Sequence, residues 1–103
     1  MKKIINGKVY NTESARCVAD ENKSLHNFYS TSEALYITKS GNWFVYGESS
    51  PGGKYSHWIG NSCGYGEDIE ALTTAEVLAW AESADISDSG KSSIAELLQL
   101  PEA

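Results

Sequence analysis

Few residues in this sequence have side chains suited to catalysis or metal binding, and their spacing decides what each can do. Cys17, His26, His57 and Cys63 are the only cysteines and histidines among the 103 residues. Neither C-x-x-C nor H-x-x-x-H spacing preorganises two of them as ligands, so a zinc site would need all four to converge from separate elements. A buried Cys17 and a surface His26 account for these residues without a metal. Cys63 is the better candidate nucleophile, because the glycine-rich stretch "WIGNSCGYGED" (58–68) leaves it accessible and His57 could lower its pKa. Glu67 and Asp68 beside it oppose thiolate formation.

Phosphate-binding loops fare worse. Gly47, Gly53 and Lys54 approach a P-loop, but five residues rather than four separate the glycines and Tyr55 replaces the Ser/Thr. Gly64 and Gly66 begin a G-x-G whose third glycine position is Ile69, with a strand rather than a helix following. Asp68 and Glu70 at strand spacing share a face, yet nothing apolar beside them implies the raised pKa of a general acid. The expectation is a protein that is not an enzyme and holds no metal or cofactor. A small enzyme or thiol sensor centred on Cys63 is the alternative.

The elements that position these residues are partly legible. "KIINGKVY" sets Asn6-Gly7 between two β-prone runs, a two-residue hairpin. Asn11 or Thr12 is then expected to cap a helix through about Asn22, with Ala15, Val18 and Ala19 on its buried face. Leu35–Thr38 and Trp43–Tyr46 form a second hairpin turned by Ser40, Gly41 and Asn42. Residues 47–66 hold six of the nine glycines and predict a strand, "KYSHWI", between two irregular loops. "DIEAL" resumes a strand. Thr73 with Glu76 makes a capping box before the stripe Val77, Trp80, Ala81 and Ala84; Ser93 with Glu96 repeats it, and Pro101 ends the last helix.

This order predicts a single α+β domain over residues 1–103: a twisted antiparallel sheet built from hairpins, one helix after the first hairpin, and two C-terminal helices packed on one face. The opening "MKKIINGK" lacks the apolar stretch of a signal peptide, and no run approaches the roughly 20 apolar residues of a membrane span. A soluble cytoplasmic protein with reduced cysteines is expected.

The net charge of −6 is unevenly spread. Residues 1–66 carry seven Lys/Arg against five Asp/Glu, whereas residues 67–103 carry nine acids against Lys91 alone. Such a surface repels phosphate backbones and attracts basic ones, so direct nucleic-acid binding is disfavoured and a basic protein partner favoured. Tyr55 and Tyr65, in glycine-rich surroundings, are expected to be exposed aromatic anchors.

Four stretches, "INGKVYNTESA" (4–14), "ALYITKSGNWFVYGESS" (34–50), "GGKYSHWIGN" (52–61) and "IEALTTAEVLAWAE" (69–82), make the chain similar to a group of small proteins carried by bacterial phages and integrative elements. The likeness spans about the first 84 residues, with Asn11 standing for a usual Asp and Ser49 and Ser50 where glycines are common. The resemblance implies an accessory protein without a catalytic signature. By analogy with small acidic proteins of such elements it suggests an anti-defence factor of the anti-CRISPR kind, which occludes the basic DNA channel of a host effector complex. In that role Glu67, Asp68, Glu70, Glu76 and Glu82 would supply long-range attraction, and Tyr55 and Tyr65 the desolvated contact. An element-maintenance protein with an unrelated protein partner is a further alternative. Neither a membrane nor a small-molecule substrate is expected.

Overall fold

The computed structural model of the protein describes residues 1–21, 31–49, 54–55, 57–59 and 62–103. Strands β1 (Lys2–Ile5) and β2 (Lys8–Asn11) form the first hairpin, with Asn6 and Gly7 at φ 51° and 75°. Positive φ at both central positions is what a type I′ turn requires, and Asn-Gly supplies it at little steric cost.

The expected helix after this hairpin is absent. Ala15 N donates to Asn11 O at 3.0 Å, a single turn, and the chain then extends as β3 (Arg16–Asp20). β3 pairs with β4 (Thr31–Ile37), and a bulge moves the register from Cys17↔Tyr36 to Ala19↔Leu35. The bulge turns Val18 and Ala19 both into the helix-side core, whereas Ala15, expected on the same face, packs against the cluster on the opposite side of the sheet. A short helix with so thin an apolar face gains less than pairing with β4 does.

β4 and β5 (Trp43–Ser49) are the second hairpin, seven residues each, and β8 (Gly66–Leu72) completes a four-stranded antiparallel sheet ordered β3-β4-β5-β8. Between β5 and β8 the strand expected over "KYSHWI" is reduced to β6 (His57–Ile59), which pairs with β7 (Ser62–Gly64), while Lys54 and Tyr55 lie in a turn. Ser62–Gly64 is therefore a strand where an irregular loop was expected. The side chains of His57, Trp58 and Cys63, together with His26, lie outside the described residues, and so do the metal and thiol readings that depend on them.

Helix α1 (Thr74–Ser83) starts at the expected capping box: Thr73 Oγ1 accepts from Glu76 N, and Glu76 Oε1 accepts from Thr73 N. Helix α2 (Asp88–Leu98) starts six residues before the expected Ser93, at Ser87, whose Oγ accepts from Gly90 N at 3.2 Å. Ile86 just before it is buried and bridges to Glu21, which fixes where the helix begins. Gly90 faces β3 so closely that a Cβ there would lie 3.0 Å from Ala19 Cβ. Gln99 at φ 55° closes α2, and Pro101 follows.

Alternation along β5 divides the interior in two. On one face Val18, Ala19, Leu35 and Trp43 pack with Val77, Ile86 and Ile94 from the helices; on the other, Phe44 and Ile69 pack with Tyr10 of the first hairpin. The two helices thus share one face, as expected, and the β1–β2 hairpin covers part of the opposite one.

Candidate functional site

Two polar clusters sit at the end of the sheet away from the Thr38–Asn42 turn, one on each face. The helix-side cluster is built around Glu33, which β4 directs toward the helices because it stands opposite Gly47. Its Oε1 accepts from Trp80 Nε1 at 3.1 Å; its Oε2 accepts from Lys54 Nζ at 3.0 Å and from the Tyr55 hydroxyl. Burial opposes ionisation of Glu33, but the hydrogen bonds from Tyr55 and Lys54 outweigh it and hold the carboxyl below its usual range. Neighbouring Glu21, whose Oε1 accepts from Glu33 N at 3.0 Å, is pushed upward by burial and then by the Glu33 charge.

Burial, followed by the hydrogen bond to Glu33, drives the Tyr55 phenol far above its ordinary pKa, so it stays a protonated donor. Tyr55 N also donates to the buried Ser49 Oγ at 2.9 Å, and Lys54 N to Thr31 Oγ1 at 3.1 Å. The Tyr55 ring lies over Gly47, where an added Cβ would come within 2.0 Å of it. Tyr55 is thus half-buried and held on three sides, contrary to the expectation that it is exposed. This cluster is a latch that fastens the 54–55 turn to the sheet, with every carboxylate oxygen of Glu33 occupied by a donor.

Gly47→Ala should expel the ring and cost roughly 1–3 kcal/mol. Urea unfolding of a double-mutant cycle checks the cause: in a Tyr55→Ala background the same substitution should cost less than about 0.5 kcal/mol.

The opposite face carries tyrosines and acids from four strands. Tyr46 donates to Glu67 Oε2 at 2.5 Å and stands 3.4 Å from Glu48 Oε2, which Tyr65 approaches at 2.5 Å. Burial, then the Glu67 hydrogen bond, keeps the Tyr46 phenol protonated far beyond neutral pH; for Tyr65 the bond to Glu48 is the main cause. Asp20, Ser32, Ala34, Tyr36, Tyr46 and Glu48 line a shallow groove of about 280 Å³ beside them. Cys17 on β3 is a free thiol whose pKa is raised by burial and by Asp20, which makes it a poor nucleophile.

Of the seven residues singled out in the sequence, Tyr65, 56% exposed, and Glu67 lie on this face. Asp68 is instead ion-paired with Lys3 at 2.7 Å, Glu70 stands 3.9 Å from Lys54 on the helix side, and Glu76 closes its own capping box. Glu82 lies exposed on α1. Sequence reasoning did not single out Asp20, Tyr36, Tyr46 and Glu48. The signal was parity: 44, 46 and 48 alternate to one face of β5, and 46 and 48 are Tyr and Glu.

Among the described residues, no group of three or more His, Cys, Asp or Glu is arranged to hold a metal ion, and no helix is long and apolar enough to cross a membrane. Fold and site together define a small α+β domain with a latched turn on one face and a tyrosine–carboxylate strip on the other. No protein-family model, curated protein or solved structure matches the chain.

Proposed function

We propose that the protein is a non-enzymatic inhibitor that grips a lysine- and arginine-rich surface with its tyrosine–carboxylate strip and so denies that surface to DNA. The observation that carries this reading is the strip itself: Tyr46 and Tyr65 hold Glu48 and Glu67 in fixed positions beside a groove walled by Tyr36 and Asp20. Carboxylates positioned by phenols attract guanidinium and ammonium groups, and the rings add cation–π and desolvated contact. Protonated phenols and a donor-saturated Glu33 suit recognition better than proton transfer. The partner this chemistry suits is a basic DNA channel, such as that of a host CRISPR-type effector complex, in keeping with the resemblance to phage and mobile-element accessory proteins.

The experiment is capture of the host complex by tagged protein, with duplex DNA as competitor and salt as variable. Wild type should bind a DNA-binding complex in competition with DNA. A folded Glu48→Lys/Glu67→Lys variant should associate at least about tenfold more slowly and lose most of the salt dependence. Tyr65→Ala should leave association unchanged and speed dissociation, costing on the order of 2 kcal/mol. Unchanged association and salt dependence in the charge-reversed variant would refute the reading.

A further inference from the structure

We infer that the groove beside the tyrosine–carboxylate strip is a socket for a single arginine side chain of the basic partner, an inference that rests on the reading of the strip as a grip for such a surface. The depression follows from strand register. Asp20, Ala34 and Tyr46 stand in one row across β3, β4 and β5, and Ser32 faces Glu48 in a row farther from the Thr38–Asn42 turn. Ala34 and Ser32 are too small to fill the space between the longer side chains on either side of them. Tyr36, two residues along β4 on the same face, closes the end toward the turn. β3 and β5 lie two strand spacings apart, about 10 Å, so the floor is one side chain wide. At about 280 Å³ the groove falls just below the roughly 300–1,000 Å³ of small-molecule sites, which suits one inserted side chain.

The walls select the ion. Asp20 is exposed, takes only a weak contact from the Cys17 thiol at 3.6 Å, and forms no ion pair among the described residues. Its carboxylate can therefore meet the fork of a guanidinium with two parallel hydrogen bonds. Across the floor Glu48, tethered by Tyr65 at 2.5 Å, adds a second negative charge. The aromatic walls are held in place, Tyr36 by stacking on Phe44 at 5.1 Å and Tyr46 by its bond to Glu67. Among the described residues no Lys or Arg lines the groove, so no cation of this chain competes for Asp20. A guanidinium is planar and weakly hydrated, so it gains from both the fork and the rings; a compact, strongly hydrated ammonium gains little beyond the charge.

The test follows backbone amides by NMR while the protein is titrated with two acetylated, amidated tripeptides of equal charge, Gly-Arg-Gly and Gly-Lys-Gly. The amides of Asp20, Ser32 and Ala34 should shift saturably with the arginine peptide, and the lysine peptide should bind at least about fivefold more weakly. Ala34→Leu fills the floor without changing any charge and should weaken the arginine peptide at least about tenfold, as should Asp20→Asn. Absence of saturable binding, equal affinity for the two peptides, or a folded Ala34→Leu that binds the arginine peptide as wild type does, overturns the socket. None of these results touches the strip, which is judged by the charge-reversed variant in the capture experiment. Arginine-selective binding that Ala34→Leu abolishes supports the socket even where capture fails. Should Ala34→Leu not fold, Ser32→Leu is judged by the same outcomes.

Discussion

Phe44→Ala should destabilise the protein by roughly 3–5 kcal/mol, lowering its melting temperature by more than about 10 °C and leaving little of a typical small-domain stability. Phe44 is fully buried, stacked on Tyr36 with ring centroids 5.1 Å apart and met edge-on by Tyr10 at 5.5 Å. Its removal opens a cavity that neither neighbour can fill, because Tyr10 is fixed by its hairpin and Tyr36 by its strand. It also removes the aromatic contacts that join β1–β2 to the sheet. Calorimetry of the variant checks the magnitude; a loss below about 1.5 kcal/mol would mean the hairpin settles onto the sheet and closes the space.

The second large effect belongs to Glu33. Glu33→Gln keeps the shape but sets an amide donor among three donors, those of Trp80, Lys54 and Tyr55. A loss of roughly 2–3 kcal/mol is expected at neutral pH, the scale of hydrogen bonds to a charged, largely buried group. The pH dependence separates this from mere misfit. The folded pKa of Glu33 lies below the ordinary 4.5, so its contribution is complete above that value and is lost as pH falls through the folded one. Asp68, held down by Lys3 and the Ile69 amide despite partial burial, adds to the same acid loss below its ordinary 3.8. Glu21 has the opposite sign: its raised folded pKa costs stability at neutral pH, and that cost is relieved as pH falls toward 4.5. Urea unfolding free energies of wild type should therefore rise slightly into mildly acidic pH and then drop. Glu33→Gln should flatten both limbs, because it removes the stabilised carboxylate and the charge that raises Glu21. A variant whose pH profile runs parallel to wild type would overturn this account.

What the sequence made legible was local chemistry. Asn6-Gly7, the Gly41 turn and the Thr73–Glu76 box each specify geometry within a few residues, and all three appear where expected. The misassigned segments are those decided at a distance. Val18 and Ala19 have helical spacing only because a bulge forced by pairing with β4 turns both inward. The start of α2 is set by Ile86, which bridges to Glu21 from the other end of the fold. Glu33 had a readable signal, since period two carried back from Ile37 and Leu35 puts it on the core side, but its donors come from residues 21 to 47 positions away. The strip draws Asp20, Tyr36, Tyr46 and Glu67 from four strands, and no local spacing announces such a gathering.

The division of the interior by β5 also governs how the molecule comes apart. Trp43 and Phe44 are neighbours in sequence, yet one floors the helix-side core and the other the hairpin-side core. Leu35 and Tyr36 repeat this one strand away. Neither core, at a handful of side chains, is large enough to hold a fold alone. Because both rest on the same two strands, loosening either side withdraws support from the other. The two cores are therefore expected to melt together as one cooperative unit, with neither face of the four-stranded sheet surviving without its opposite.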